Sequence, residues 1–138
     1  MIGILIITHG TLGESLVHCA SHVLNKRPPR LKQLGVTAQD DPALLLPQAR
    51  ALVKELDEGT GVLILSDMYG GTPSNLASKL VVPARIEAVA GVSLPMLIRV
   101  LTYRDRDLQT IVTKAISGGW EGVVRVPMFK LHNAATGS

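Results

Sequence analysis

The stretch Gly3-Ile4-Leu5-Ile6-Ile7-Thr8-His9-Gly10-Thr11 decides how this chain is read. The apolar, largely β-branched run from Ile2 to Ile7 reads as a buried strand. His9 follows almost at once, and Gly10 permits a sharp turn. Thr11 with Glu14 fits a T-x-x-E capping box that opens a helix. One imidazole is therefore expected at the carboxyl end of the first strand, beside the N-terminus of the first helix.

Outward from that strand the chain alternates. A first helix is expected over 12–24, with Leu12, Leu16, Cys19, Ala20 and Val23 spaced along one face. Pro28-Pro29 closes the linker. Residues 31–36 predict a second, less apolar strand near a sheet edge. Asp40-Asp41-Pro42 supplies a cap and a first-turn proline for a second helix that runs to Leu56. Pro47 inside it either kinks the helix or moves its start later. Glu58-Gly59-Thr60-Gly61 is a turn, and residues 62–65 are a third strand, apolar throughout and so buried.

Ser66-Asp67-Met68-Tyr69-Gly70-Gly71-Thr72-Pro73 follows, with Thr72-Pro73 opening a helix to about Leu80. Residues 85–90 predict a fourth strand. Two more helices are expected over 94–103 and 108–117, the second broken by Gly118-Gly119. Residues 123–126 read as a last short strand. No repeat or long linker divides the chain, so one domain over 1–126 is expected, with a small polar tail over 127–138.

This order predicts an α/β fold with a single doubly wound, mainly parallel sheet, strand order 2-1-3-4, and helices on both faces. In such a sheet the ligand crevice lies between strands 1 and 3 at their carboxyl ends. His9 ends one of these strands and Asp67 the other, so the topology brings them together.

Composition narrows the function classes. A chain of 138 residues suits one core, and 46% hydrophobic residues rule out wholesale disorder. Aromatics make up only 3%, which leaves little to stack on bases or a flavin. A net charge of +3 with scattered basic residues argues against nucleic-acid binding. The one cysteine, Cys19, excludes a disulfide within the chain and is expected to pack in the core. The first apolar run is shorter than the roughly 20 residues needed to cross a bilayer, and nothing resembles a signal peptide. A cytoplasmic protein is expected.

A carboxylate bonded to one ring N–H of a neutral imidazole fixes the tautomer and leaves the other nitrogen's lone pair free. His9 with Asp67 is then a candidate nucleophile with its orienting group. Gly10 and Thr11 at one helix start, and Gly70, Gly71 and Thr72 at another, offer N–H groups and hydroxyls suited to a phosphoryl group. Taken singly, His9 and Asp67 also read as ordinary turn or cap residues. Their shared position at one switch point favours a reversible phosphoryl acceptor on histidine.

Ile6-Ile7-Thr8-His9-Gly10, Asp67-Met68-Tyr69-Gly70-Gly71-Thr72-Pro73-Ser74-Asn75 and Ala90-Gly91-Val92-Ser93-Leu94-Pro95-Met96-Leu97 together resemble the mannose-family enzyme IIA component of the bacterial phosphoenolpyruvate:sugar phosphotransferase system. The resemblance covers roughly residues 1–126. It implies that His9 takes a phosphoryl group from the phosphocarrier HPr, through its ε nitrogen, and passes it to a IIB component. It makes Asp67 the orienting carboxylate on the δ side and Thr72 the hydroxyl near the phosphate. It also implies a homodimer in which residues 123–126 form a C-terminal antiparallel edge strand on the partner's sheet. No cofactor and no metal are implied, and the membrane is reached only through a permease. Met68-Tyr69 differs from the Thr-Trp of some transport members. Many relatives continue into a IIB domain, whereas this sequence ends soon after Val126. Free-standing relatives also serve regulatory phosphorelays, and nothing in the residues separates the two roles.

Other readings compete. A histidine phosphatase or mutase places arginine directly before its histidine, where this chain has Thr8. A tetrapyrrole metal chelatase needs another histidine at a comparable strand end. His18 and His22 are spaced i,i+4 on the first helix without a Glu or Cys partner, and His132 falls in the tail. A flavodoxin-like flavin binder lacks its aromatics. An interaction module that no longer accepts phosphate is the remaining alternative.

Overall fold

The computed structural model describes residues 1–130. Its strands are β1 (Gly3–His9), β2 (Leu31–Val36), β3 (Val62–Ser66) and β4 (Ile86–Ala90). Its helices are α1 (Leu12–Leu24), α2 (Pro42–Leu56), α3 (Thr72–Ser78), α4 (Leu94–Tyr103) and α5 (Leu108–Glu121). All strand pairs are parallel, in the order β2-β1-β3-β4. β1 lies inside, matching Ile4 to Leu31 on one side and to Leu63 on the other.

The period of two along β1 and β3 feeds two cores. Ile4, Ile6, Leu63 and Leu65 face α1, α4 and α5. Leu5, Ile7, Val62 and Ile64 face α2 and α3. Arg104, buried at the end of α4, locks the amino-terminal end of the sheet. Its guanidinium donates to the carbonyls of Ile2, Pro29 and Arg30, and so joins the start of β1 to the α1–β2 linker.

Several expectations are corrected. Thr11 makes no side-chain cap, so the capping box is absent. The buried Thr8 hydroxyl instead accepts the Gly13 N–H at 2.8 Å. A Cβ on Gly13 would lie 3.1 Å from that hydroxyl and 3.3 Å from Gln33, so glycine lets α1 press its first turn onto β1 and β2. This turns the helix so that Gly13, Leu16, Val17 and Ala20 are buried. Leu12 and Val23 are left exposed, and so is Cys19, which is not a core residue.

α2 begins at Pro42 with Asp41 accepting the Ala43 N–H, so Pro47 does not move the start. Pro47 and Ala43 are both exposed, and the carbonyl deprived of its partner can face water. α3 stops at Ser78, short of Leu80.

Gly118-Gly119 does not end α5, which continues to Glu121. A Cβ on Gly118 would lie 3.0 Å from Arg99 Cβ, and one on Gly119 would lie 2.8 Å from Met96 Cε. The glycines serve close approach of α5 to α4, and that packing offsets their low helix propensity. Residues 123–126 form no strand in the single chain, so the expected fifth strand is not part of this sheet. His132 and residues 131–138 of the expected tail lie outside the described residues. Among the described residues no helix is long and apolar enough to cross a membrane.

Candidate functional site

β1 and β3 are neighbours, so their carboxyl ends deliver His9 and Asp67 to one place. His9 Nδ1 lies 2.8 Å from Asp67 Oδ2. A carboxylate only accepts, so the ring N–H donates and Nε2 keeps its lone pair. The same oxygen also accepts the backbone N–H of His9 at 2.9 Å. Asp67 Oδ1 accepts the N–H of Met68, also at 2.9 Å. Two oxygens thus hold the strand end, the ring and the following loop together.

The Asp67 carboxyl is mostly covered, while the His9 side chain is half exposed. Burial alone would raise the Asp67 pKa, but the donors from His9 and Met68 outweigh it and hold the carboxyl below its ordinary value. The carboxylate is therefore ionised at neutral pH.

The loops around the pair are fixed by backbone bonds. Gly10 adopts φ +54°, turning the chain out of β1, and its N–H donates to Val36 O at 2.8 Å. Gly70 adopts φ +87°, and Gly71 N–H donates to Met68 O at 3.1 Å. The β4–α4 loop braces Asp67 from behind, with Gly91 N–H on Asp67 O at 2.7 Å and Val92 N–H on Ser66 O at 2.9 Å. Ser93 caps α4 through Met96 N–H. Gly71 runs beside the histidine, where a Cβ would stand 3.0 Å from His9 Cε1 and 3.5 Å from Nε2.

All seven residues singled out in the sequence fall at this end of the sheet, though they are not equivalent. The N–H groups of Gly10 and Gly71 are already engaged, so neither is free to hold an anion. Among the described residues, the N–H groups of Thr11, Gly70 and Thr72 have no acceptor. Thr8, Gly91 and Ser93, which the sequence motifs contain but which carried no expected role, shape the site. The serine two residues before Pro95 was a legible capping signal for Ser93; Thr8 acts through a contact five residues on that no local motif marks. Among the described residues no group of three or more His, Cys, Asp or Glu is placed to hold a metal ion, and His18 and His22 stand exposed on α1.

The family described as EIIA-man, PTS system fructose IIA component, matches residues 3–116. The PTS system mannose-specific EIIAB component of Escherichia coli (strain K12) is 34% identical over 137 residues, which is 97% of this chain and 42% of that protein. The chain thus spans less than half the length of that relative. The PTS system fructose-specific EIIA component of Bacillus subtilis (strain 168) is 41% identical over 54 residues, 38% of this chain and 37% of that protein. Among solved structures, the mannose/sorbose specific IIA subunit from Enterococcus faecalis has a TM-score of 0.83 at 21% identity, covering 95% of this chain and 98% of that one. The phosphotransferase system component EIIA from Streptococcus agalactiae has a TM-score of 0.80 at 23% identity, covering 91% and 97%. At these identities the structures show the shared fold.

Proposed function

Because this chain belongs to the EIIA-man family and is an EIIA component of the mannose type, we propose that it is a phosphocarrier working through His9. The donor is an HPr-type phosphocarrier protein, and the acceptor is a IIB-type protein. The setting is the cytoplasm, in sugar uptake or in a regulatory relay. Residues 1–126 make up the carrier domain, and it works as a homodimer.

One observation carries this reading. The His9 Nδ1–H donates to Asp67 in a 2.8 Å bond, which in the neutral ring leaves the Nε2 lone pair free on a half-exposed side chain. The Nε2 lone pair attacks phosphorus as the bond from phosphorus to the donor's nitrogen breaks, and the donor leaves with that electron pair. The positive charge that grows on the His9 ring is met by the ionised Asp67. In this reading the N–H groups of Thr11, Gly70 and Thr72, with the Thr72 hydroxyl, receive the phosphoryl oxygens. In the second displacement the acceptor's nucleophile bonds to phosphorus as the Nε2–phosphorus bond breaks and His9 regains its lone pair.

Incubation with phosphoenolpyruvate, enzyme I and HPr tests the reading. Mass spectrometry is expected to show one acid-labile phosphoryl group on the wild-type chain and none on His9→Ala. A wild-type chain that stays unmodified overturns it.

A further inference from the structure

We propose that Tyr69 and Met68 form the docking anchor for the phosphoryl donor, a protein that presents its phosphorylated side chain within an apolar patch. This rests on the reading of His9 as the phosphoryl acceptor.

Geometry brings the donor to this loop. In-line attack needs phosphorus about 3–3.5 Å from the nucleophile. The Cβ position of Gly71 is itself 3.5 Å from Nε2. A protein that delivers phosphorus to that nitrogen therefore comes within reach of the loop that contains Gly71. At the tip of this loop the side chains of Met68 and Tyr69 are 62% and 88% exposed.

The tip is also fixed in advance. Met68 N–H is held by Asp67, Gly71 N–H by Met68 O, and the Gly70 carbonyl accepts the Asn75 side-chain amide at 3.4 Å. A pinned backbone that projects a tyrosine and a methionine loses little freedom on binding. Tyrosine is among the residues that dominate interface energetics, and methionine's flexible thioether fits irregular apolar surfaces.

Charge points the same way. The three loops that meet at the site, over 9–14, 67–75 and 91–96, contain no lysine or arginine. These loops therefore offer the donor apolar surface rather than a cationic side chain.

The test is the initial rate of His9 phosphorylation against phospho-HPr concentration. Tyr69→Ala is expected to raise KM about tenfold or more, with kcat within about twofold of wild type. Tyr69→Phe restores KM. Val23→Ala, which removes an exposed apolar side chain at the far end of α1, leaves KM unchanged. Unchanged melting confirms that the variants are folded. A Tyr69→Ala KM equal to wild type, or a fall in kcat alone, overturns the anchor while leaving His9 phosphorylation intact. No phosphorylation of wild type in the same assay removes the underlying reading instead.

Discussion

Asp67 Oδ2 accepts both the ring Nδ1–H and the backbone N–H of His9, at 2.8 and 2.9 Å. One oxygen therefore fixes where the histidine begins and how its ring is turned. Asp67→Asn keeps the shape but offers an amide, which either presents its own N–H to Nδ1 or accepts without charge. Phosphorylation of His9 is expected to slow by roughly 10²-fold, in line with loss of a carboxylate that orients a histidine. Rapid-quench kinetics with phospho-HPr measures this. A rate within threefold of wild type removes the orienting role.

The same carboxyl gives an acid limb to stability. Its folded pKa is depressed below 3.8, since the donors of His9 and Met68 overcome the opposing effect of burial. A depressed carboxyl stabilises the fold above its unfolded pKa, near 4, and that stabilisation is lost as pH falls through the lower folded value. Asp57 acts likewise: burial raises it, but the N–H groups of Gly59 and Gly61 and the charge of Arg85 lower it overall. Urea midpoints of wild type are expected to fall as pH drops below about 4, and those of Asp67→Asn to fall less steeply. Parallel curves count against the depressed Asp67 carboxyl.

Gly71→Ala isolates the ring's position. The residue has φ −78°, which alanine adopts freely, so the backbone is not strained. The new methyl carbon would stand 3.0 Å from His9 Cε1, tighter than ordinary contact. The half-exposed ring has room to swing aside, which would strain its bond to Asp67. The expected outcome is about tenfold slower phosphorylation, since small misplacements at a reacting centre are costly. The melting temperature should change little. Nitrogen NMR of the imidazole should report a weakened Nδ1–H bond, and a wild-type spectrum with wild-type rates would show that the ring tolerates the methyl.

The strand order and the meeting of His9 with Asp67 were legible because both follow from near-neighbour signals. Apolar runs ending at 7 and 65 set two strands, and the parallel crossover rule set them side by side. What was not legible depends on contacts between elements. The turn of α1 is set by Gly13 against Thr8 and Gln33, which no helical periodicity encodes. Gly118 and Gly119 read as breakers because their partners, Arg99 and Met96, lie on another helix. Gly10 and Gly71 read as anion donors because the sequence does not reveal that Val36 O and Met68 O already take their N–H groups.

Val123, Val124 and Val126 remain 86%, 76% and 87% exposed in the single chain. Three exposed valines around Arg125 are unfavourable in water, and β4, paired only with β3 in the sheet order, presents an outer edge. α5 ends beside Pro95, where a Cβ on Gly122 would lie 2.6 Å from Pro95 Cβ, so the run leaves the fold at the carboxyl end of the sheet. From there it can extend along the β4 edge of a second copy, which would satisfy both surfaces at once. Wild type is expected to sediment as a dimer at micromolar concentration. Val124→Asp places a charge in the shared strand and should yield monomers that melt at lower temperature. A wild-type monomer across that range refutes the exchange, and a Val124→Asp dimer shows that the interface lies elsewhere.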